Sequence, residues 1–200
     1  VHYAAITKEL MTHAEIDSFL KMLCGHTLGH YETLRATYDI AAALISNGVP
    51  GDFVECGVYA GGECAAMALA SLNAWRVDRD EKPPRRVHLF DSFQGMPQCG
   101  PEDTEFIAAG NKPGEACVSL EGVQANMKLW GIPSELLVYH PGWFEDTVPE
   151  AGHAPIALLR LDGDLTDLAA QIRRQGRVGA QVRGHDADLR AEGGECVAEI

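Results

Sequence analysis

Three groups of residues in this sequence have types and spacing suited to chemistry. They are the glycine-rich segment GDFVECGVYAGG (Gly51–Gly62), Asp91 in VHLFDSF, and Asp162-Gly163-Asp164. Each follows or contains a short apolar run of the kind that forms a buried strand. Open parallel sheets bind ligands beyond the carboxyl ends of their strands, where the chain order reverses. A turn at that edge must approach its ligand closely, which glycine permits because no Cβ intervenes. Gly57, Gly61 and Gly62 sit between a strand at Phe53–Cys56 and the start of a helix, the context that a nucleotide-type cofactor motif requires.

The spacing is E-x-G-x-x-x-G-G, with Val58 and Tyr59 after the first glycine, and not the G-x-G-x-x-G of dinucleotide sites. That motif presses a pyrophosphate against a helix N-terminus. The wider turn suits S-adenosylmethionine, which has no phosphate. Asp91, at the end of the second strand and followed by Ser92, is placed to accept hydrogen bonds from both hydroxyls of an adenosine ribose. Glu55 lies inside the first strand, where a charge is costly unless paired; it is expected to reach toward the cofactor's amino group, directly or through water.

The remaining pattern supplies the elements that position these groups. Thr12-His13-Ala14-Glu15 reads as a capping box before Ile16, Phe19, Leu20 and Leu23. A second helix is predicted from Tyr31 to Ser46, with Leu34, Tyr38, Ala41, Leu44 and Ile45 on one face. Asn47-Gly48 and Pro50 end it. From there strands and helices alternate: strand Phe53–Cys56, helix Gly61–Trp75, surface loop Arg76–Arg86, strand Val87–Phe90, helix Leu120–Gly131, strand Leu136–His140 and strand Ile156–Leu161. Alternation of this kind implies an α/β fold, a mostly parallel sheet with helices on both faces. Pro97–Val118 is long, rich in Pro and Gly, and without period; it reads as a lid over the site, or as disorder. Three stretches follow within one domain: an N-terminal helical segment (1–50), the α/β core (51–165) and an atypical tail (166–200). The tail holds five Arg, no Lys and no aromatic residue. Its strand signals at Val178 and Val182 are weak, so the C-terminal strands are expected to be missing or degenerate.

Bulk composition narrows the function. A formal charge of −13 argues against a nucleic-acid or anionic-membrane partner. The six cysteines show no C-x-x-C pair or Cys/His ligand spacing, which disfavours a structural zinc. No run spans a bilayer and no signal peptide opens the chain, so reduced thiols and a cytoplasmic location are expected. The first residue is Val, consistent with a processed, trimmed or partial sequence. The N-terminal helices offer a face for substrate or for a homo-oligomer. His140 and His153 near strand ends read as structural or solvated, and Cys56 as a small buried residue.

In this order, GDFVECGVYAGG, RRVHLFDSFQGMP, GWFEDTVP and IALLRLDGDL resemble the macrocin O-methyltransferase family, over about Gly51–Leu165 and more weakly in the preceding helix. The resemblance implies a Rossmann-like class I methyltransferase fold and S-adenosylmethionine-dependent O-methylation of a sugar hydroxyl on a natural product, with Mg²⁺. It implies Asp162 as metal ligand, Asp164 as general base, and Trp143 and Phe144 flanking the adenine. Those roles suit the chemistry, because an alcohol becomes a competent nucleophile when a base takes its proton and a hard cation lowers its pKa. The family also carries adjacent aspartates about one helix and one strand after the DGD. Here His185-Asp186-Ala187-Asp188-Leu189 stands in that place without a hydrophobic strand, a departure that suggests a truncated or frame-shifted end.

Rival readings remain open. Asp162-x-Asp164-x-Thr166 matches the nucleophile motif of haloacid-dehalogenase-type phosphatases, but that chemistry needs a later Lys and none follows Lys128. A metal-dependent glycosyltransferase explains the DGD and leaves the glycine turn and Asp91 idle. An NAD-dependent oxidoreductase explains the turn but not its spacing. The other alternative is a catalytically impaired homologue that binds cofactor without turnover.

Overall fold

The computed structural model describes residues 10–78, 84–97, 112–150, 155–161, 180–183, 188–192 and 195–199. Helix α1 (His13–Leu23) starts with both halves of the expected capping box, Thr12 Oγ1 accepting from the Glu15 amide and the Glu15 carboxylate accepting from the Thr12 amide. Helix α2 (Tyr31–Ser46) ends at Asn47, and Gly48 follows with φ +66°. Strand β1 (Asp52–Cys56), helix α3 (Gly62–Asp78) and strand β2 (Val87–Asp91) come next. Helix α4 (Leu120–Trp130) is capped by Ser119 and closed by Gly131 at φ +75°. Strand β3 (Leu137–Pro141), helix α5 (Phe144–Glu150) and strand β4 (Ile156–Leu161) complete the core, and β5 (Ala180–Arg183), β6 (Asp188–Glu192) and β7 (Glu195–Glu199) lie in the tail.

The seven strands form one sheet in the order β3-β2-β1-β4-β5-β7-β6. Neighbours are parallel throughout, except that β6 runs antiparallel to β7. The chain steps outward from β1 to β2 and β3, then returns to pair β4 on the other side of β1. That reversal puts the crevice of an open parallel sheet at the carboxyl ends of β1 and β4.

Period-two alternation divides the sheet residues between two cores. Phe53, Val87, Leu89, Leu137 and Leu158 join the larger core beneath α1, α2, α3 and α4. Val54, Cys56, Phe90, Leu159 and Leu161 face the other way and pack with Val148 of α5. Helix α3 is apolar around its whole circumference, the signature of a buried helix, and Cys64 through Ala70 are all at most 1% exposed.

Several boundaries differ from the sequence reading. Helix α3 runs through Asp78, beyond Trp75, because no helix breaker intervenes before Pro83. Leu136 belongs to a 3₁₀ turn, Ser134–Leu136, so β3 begins one residue later. The short helix α5 was not anticipated; its Glu145 and Asp146 lie in the first turn, where carboxylates favour a helix N-terminus. In the tail, β5 pairs with Leu159, Arg160 and Leu161, so β4 is not an edge strand, and the sheet extends further than the weak signals at Val178 and Val182 indicate. Of the candidate lid, residues 98–111 lie outside the described residues. The flanks of that stretch meet, with the Met96 amide donating to Glu115 O and the Gly114 amide to Met96 O.

Two glycines at the entrance to β1 separate backbone strain from crowding. Gly48 has φ +66° and open space around a built Cβ, whereas Gly51 has φ +117° and a Cβ there would lie 2.4 Å from Pro155 O. Gly48→Ala should cost about 1–2 kcal/mol, the usual strain of a left-handed L-residue. Gly51→Ala must in addition displace the backbone that leads into β4, so its melting temperature should fall clearly below that of Gly48→Ala in thermal denaturation. Equal loss in the two variants would show that the β1–β4 entrance yields easily.

Candidate functional site

The carboxyl ends of β1, β2 and β3 are tied to one another by backbone hydrogen bonds. The Gly57 amide donates to Phe90 O at 2.9 Å and the Gly142 amide to Asp91 O at 3.0 Å. Gly57 (φ +91°) and Gly61 (φ +92°) bend the chain between β1 and α3, and Tyr59 between them also takes a positive φ of +49°. A left-handed non-glycine residue in a tight turn is a strained conformation of the kind that clusters at ligand sites.

Asp91 holds this turn in place. Its Oδ2 accepts from the Val58 amide at 2.6 Å and the Tyr59 amide at 3.3 Å, while Oδ1 accepts from the Phe93 amide at 2.7 Å. A carboxylate offers about four lone-pair positions, and three of them are engaged among the described residues, which leaves one at Oδ1. Ser92 organises the next turn: its Oγ donates to Gly95 O and accepts from the Gln94 amide.

Two further elements brace the glycines from outside. A Cβ on Gly62 would lie 2.8 Å from His26 O, in the 3₁₀ turn Cys24–His26, and a Cβ on Gly61 would lie 2.7 Å from Met127 Cε on α4. Asn126 Nδ2 donates to Ala60 O at 3.0 Å, and the His26 ring meets the fully buried Trp130 edge-on. The N-terminal helices and α4 therefore act as a mould for the turn.

Glu55 is 1% exposed and points into the larger core. Arg160 Nη1 donates to its Oε1 at 2.6 Å and the Cys64 thiol donates to its Oε2 at 2.7 Å. Its placement beneath the turn, against α3, was not foreseen. One signal for it was present: Arg160 is the single charge in IALLRL, as Glu55 is within FVEC, and adjacent strands that each bury one opposite charge invite a pair. Burial drives the Cys64 and Cys56 thiols up, well outside the reactive range.

Trp143 is half-buried at the start of α5, where its carbonyl accepts from the Asp146 and Thr147 amides. Phe144 packs on the smaller core. Asp162, Asp164, His153 and Asp186 lie outside the described residues, and among the described residues no group of three or more His, Cys, Asp or Glu is arranged to hold a metal. Asp188 opens β6, the last strand in the order.

His140 proves to be part of a chain of side chains and not a lone histidine. His88 bridges Asp52 Oδ2 at 3.3 Å and His140 Nε2 at 3.0 Å, and the His140 ring stacks on Phe90 at 4.0 Å between centroids. Burial of Asp52 opposes its ionisation, but hydrogen bonds from His88 and the Arg86 amide outweigh this and keep the carboxyl below its usual value. Burial, helped by His88, pushes His140 down from 6.5 to about 4. A depressed imidazole pKa means that the unfolded chain takes up the proton first. The contribution of His140 is therefore complete above pH 6.5 and is lost as pH falls toward about 4. Chemical denaturation at several pH values should show a shallower loss over that interval for His140→Phe than for the parent chain.

The family described as Macrocin-O-methyltransferase (TylF) matches residues 18–172. The 8-demethyl-8-(2,3-dimethoxy-alpha-L-rhamnosyl)-tetracenomycin-C 4'-O-methyltransferase of Streptomyces olivaceus is 37% identical over 145 residues, 70% of this chain and 53% of that protein. The mycinamicin III 3''-O-methyltransferase of Micromonospora griseorubida is 37% identical over 145 residues, again 70% of this chain and 55% of that protein. The chain thus spans about half the length of the curated relatives it matches. The solved structure of the O-methyltransferase NovP aligns with a TM-score of 0.68 at 28% identity, covering 82% of this chain and 79% of that one. The fold is the Rossmann-like α/β fold of class I methyltransferases. Because the family match takes in the glycine turn, Asp91 and the Asp162-Gly163-Asp164 segment together, the chain belongs to the macrocin O-methyltransferase family.

Proposed function

We propose that this chain binds S-adenosylmethionine at the carboxyl edge of β1 and β2 and methylates a hydroxyl of a sugar or glycosylated natural product. The observation that carries the reading is the Asp91-held turn, whose positive-φ residues stand where an open parallel sheet receives a nucleoside-like ligand. Asp91 would take a ribose hydroxyl at its remaining lone pair, Gly57, Val58, Tyr59, Gly61, Gly62 and Ser92 would shape the pocket, and Trp143 and Phe144 would hold the adenine. The buried Glu55 acts from beneath the turn. The cofactor supplies an electrophilic methyl group on a sulfonium sulfur.

A bound cofactor would supply that methyl group to the acceptor oxygen and keep the carbon–sulfur electron pair on sulfur, and the hydroxyl proton would leave to a base. Asp164 is assigned as the base and Asp162 as a ligand of Mg²⁺. Carboxylates are the donors a hard, oxygen-seeking cation selects. The sugar specificity of the named relatives supports a small glycoside as acceptor. Among the described residues no helix is long and apolar enough to cross a membrane, and Cys24, Cys56, Cys64 and Cys117 are free thiols. Free thiols fit a cytoplasmic setting.

A second reading, cofactor binding without turnover, draws on the tail: the family match stops at residue 172, and no adjacent pair of aspartates follows it. Titration calorimetry separates the readings. Binding of S-adenosylmethionine is expected for the parent chain, and Asp91→Ala should weaken it at least tenfold, since hydrogen bonds to a charged group contribute about 1.5–3 kcal/mol. Methyl transfer to a deoxysugar glycoside should then depend on Mg²⁺, vanish in EDTA and fall about a hundredfold or more in Asp164→Asn. Binding without transfer would favour the second reading; no binding would remove both.

A further inference from the structure

We infer that Arg160 is a positioning residue for the cofactor edge, its buried guanidinium locking the end of β1 and the first turn of α3 to β4. Arg160 and Glu55 face each other in the β1–β4 register, and each side chain is 1% exposed. Arg160 Nη1 lies 2.6 Å from Glu55 Oε1, and Nη2 lies 3.9 Å from Glu63 Oε1 in the first turn of α3. The Cys64 thiol donates to the second oxygen of Glu55, and the Thr27 hydroxyl donates to Glu63 Oε1 at 3.4 Å. One guanidinium thus connects two strands, a helix start and, through Glu63, the N-terminal 3₁₀ segment. Each charged member is one or two residues from a site motif: Glu55 precedes Gly57, Glu63 follows Gly62, and Arg160 precedes Asp162.

Apolar side chains would cover the same volume at less cost. Taking ions out of water is expensive, and replacing a buried ion pair by well-packed apolar residues is often neutral or stabilising. What the charged group adds is direction. A planar guanidinium that donates to one carboxylate at 2.6 Å and holds a second as an ion pair at 3.9 Å keeps both only in a narrow range of positions. A slip of β4 along β1, or a tilt of α3, would leave a buried charge with distorted hydrogen bonds, which is heavily penalised. The cluster therefore holds the glycine turn in one placement relative to the strand that leads to the DGD segment. Its consequence for ligand affinity rests on the proposed cofactor reading; its consequence for the turn does not.

Two variants of the full chain test this: the apolar pair Glu55→Met with Arg160→Met, and the conservative Arg160→Lys, whose single ammonium cannot reproduce the fork. Hydrogen exchange of a peptide spanning Val54–Gly62 reads the turn, melting temperature reads the fold, and calorimetry reads S-adenosylmethionine affinity. The apolar pair should melt within a few degrees of the parent while its turn amides exchange about tenfold faster and its Kd rises about tenfold, equivalent to about 1.4 kcal/mol. Arg160→Lys should fall between the two. Parent-like exchange at the turn in either folded variant overturns the inference, and so does loss of the fold in both, which would make the cluster purely structural. If the parent chain binds no S-adenosylmethionine, the cofactor reading fails while the exchange result still decides the role of Arg160.

Discussion

The organisation of this molecule depends on satisfying the backbone of one turn. Between β1 and α3 the chain leaves a sheet ladder and enters a helix within six residues, Gly57 to Gly62, and the amides of Val58 and Tyr59 belong to neither. Buried or half-buried N–H groups without acceptors are costly. Asp91 resolves this by accepting both, together with the amide of Phe93. An acid at the end of the second strand thus defines the shape of the loop after the first, and the two form a single structural unit before any ligand is considered.

The rest of the fold can be understood as support for that unit. From above, the 3₁₀ turn Cys24–His26 presses its backbone on Gly62 so closely that a Cβ has no space there, and Met127 of α4 packs its terminal methyl against Gly61. From beneath, Glu55, Glu63, Cys64 and Arg160 fill the interior with directional polar contacts where most cores use only apolar ones. On the opposite face of the sheet, the smaller core and the Asp52–His88–His140 chain stiffen β1, β2 and β3 against one another. Strain at Tyr59 is tolerable because so many neighbours over-determine its position.

Much of this was legible in the sequence. The capping box at Thr12–Glu15, the stop at Asn47-Gly48, the all-round apolar α3 and the four apolar strands are local patterns, governed by periodicity and by turn chemistry between near neighbours. The glycine turn and Asp91 were legible as neighbours at one edge of the sheet because strand, turn and helix follow one another directly. Other features were not. Helix α5 was hidden by its shortness and by Pro149. The tail strands lacked the hydrophobic periodicity that marks a strand, since short strands at the end of a sheet derive order from pairing with what is already built. The mutual pairing of His88 and His140 depends on the register of β2 against β3, and no spacing within either strand encodes it.

By itself the sequence determined the α/β class, the glycine turn after the first strand, the acid that faces it and the family to which the chain belongs, all of which reside in contiguous motifs. Only the tertiary structure decided how those acids are used. Asp91 binds the turn itself, and Glu55 lies beneath the turn in a buried cluster with Arg160, 105 positions away in the chain. The physical reason is that burial and charge pairing are properties of strand register and sheet order. Which carboxylate meets a cation and which remains open to a ligand is settled only when β4 returns to lie beside β1.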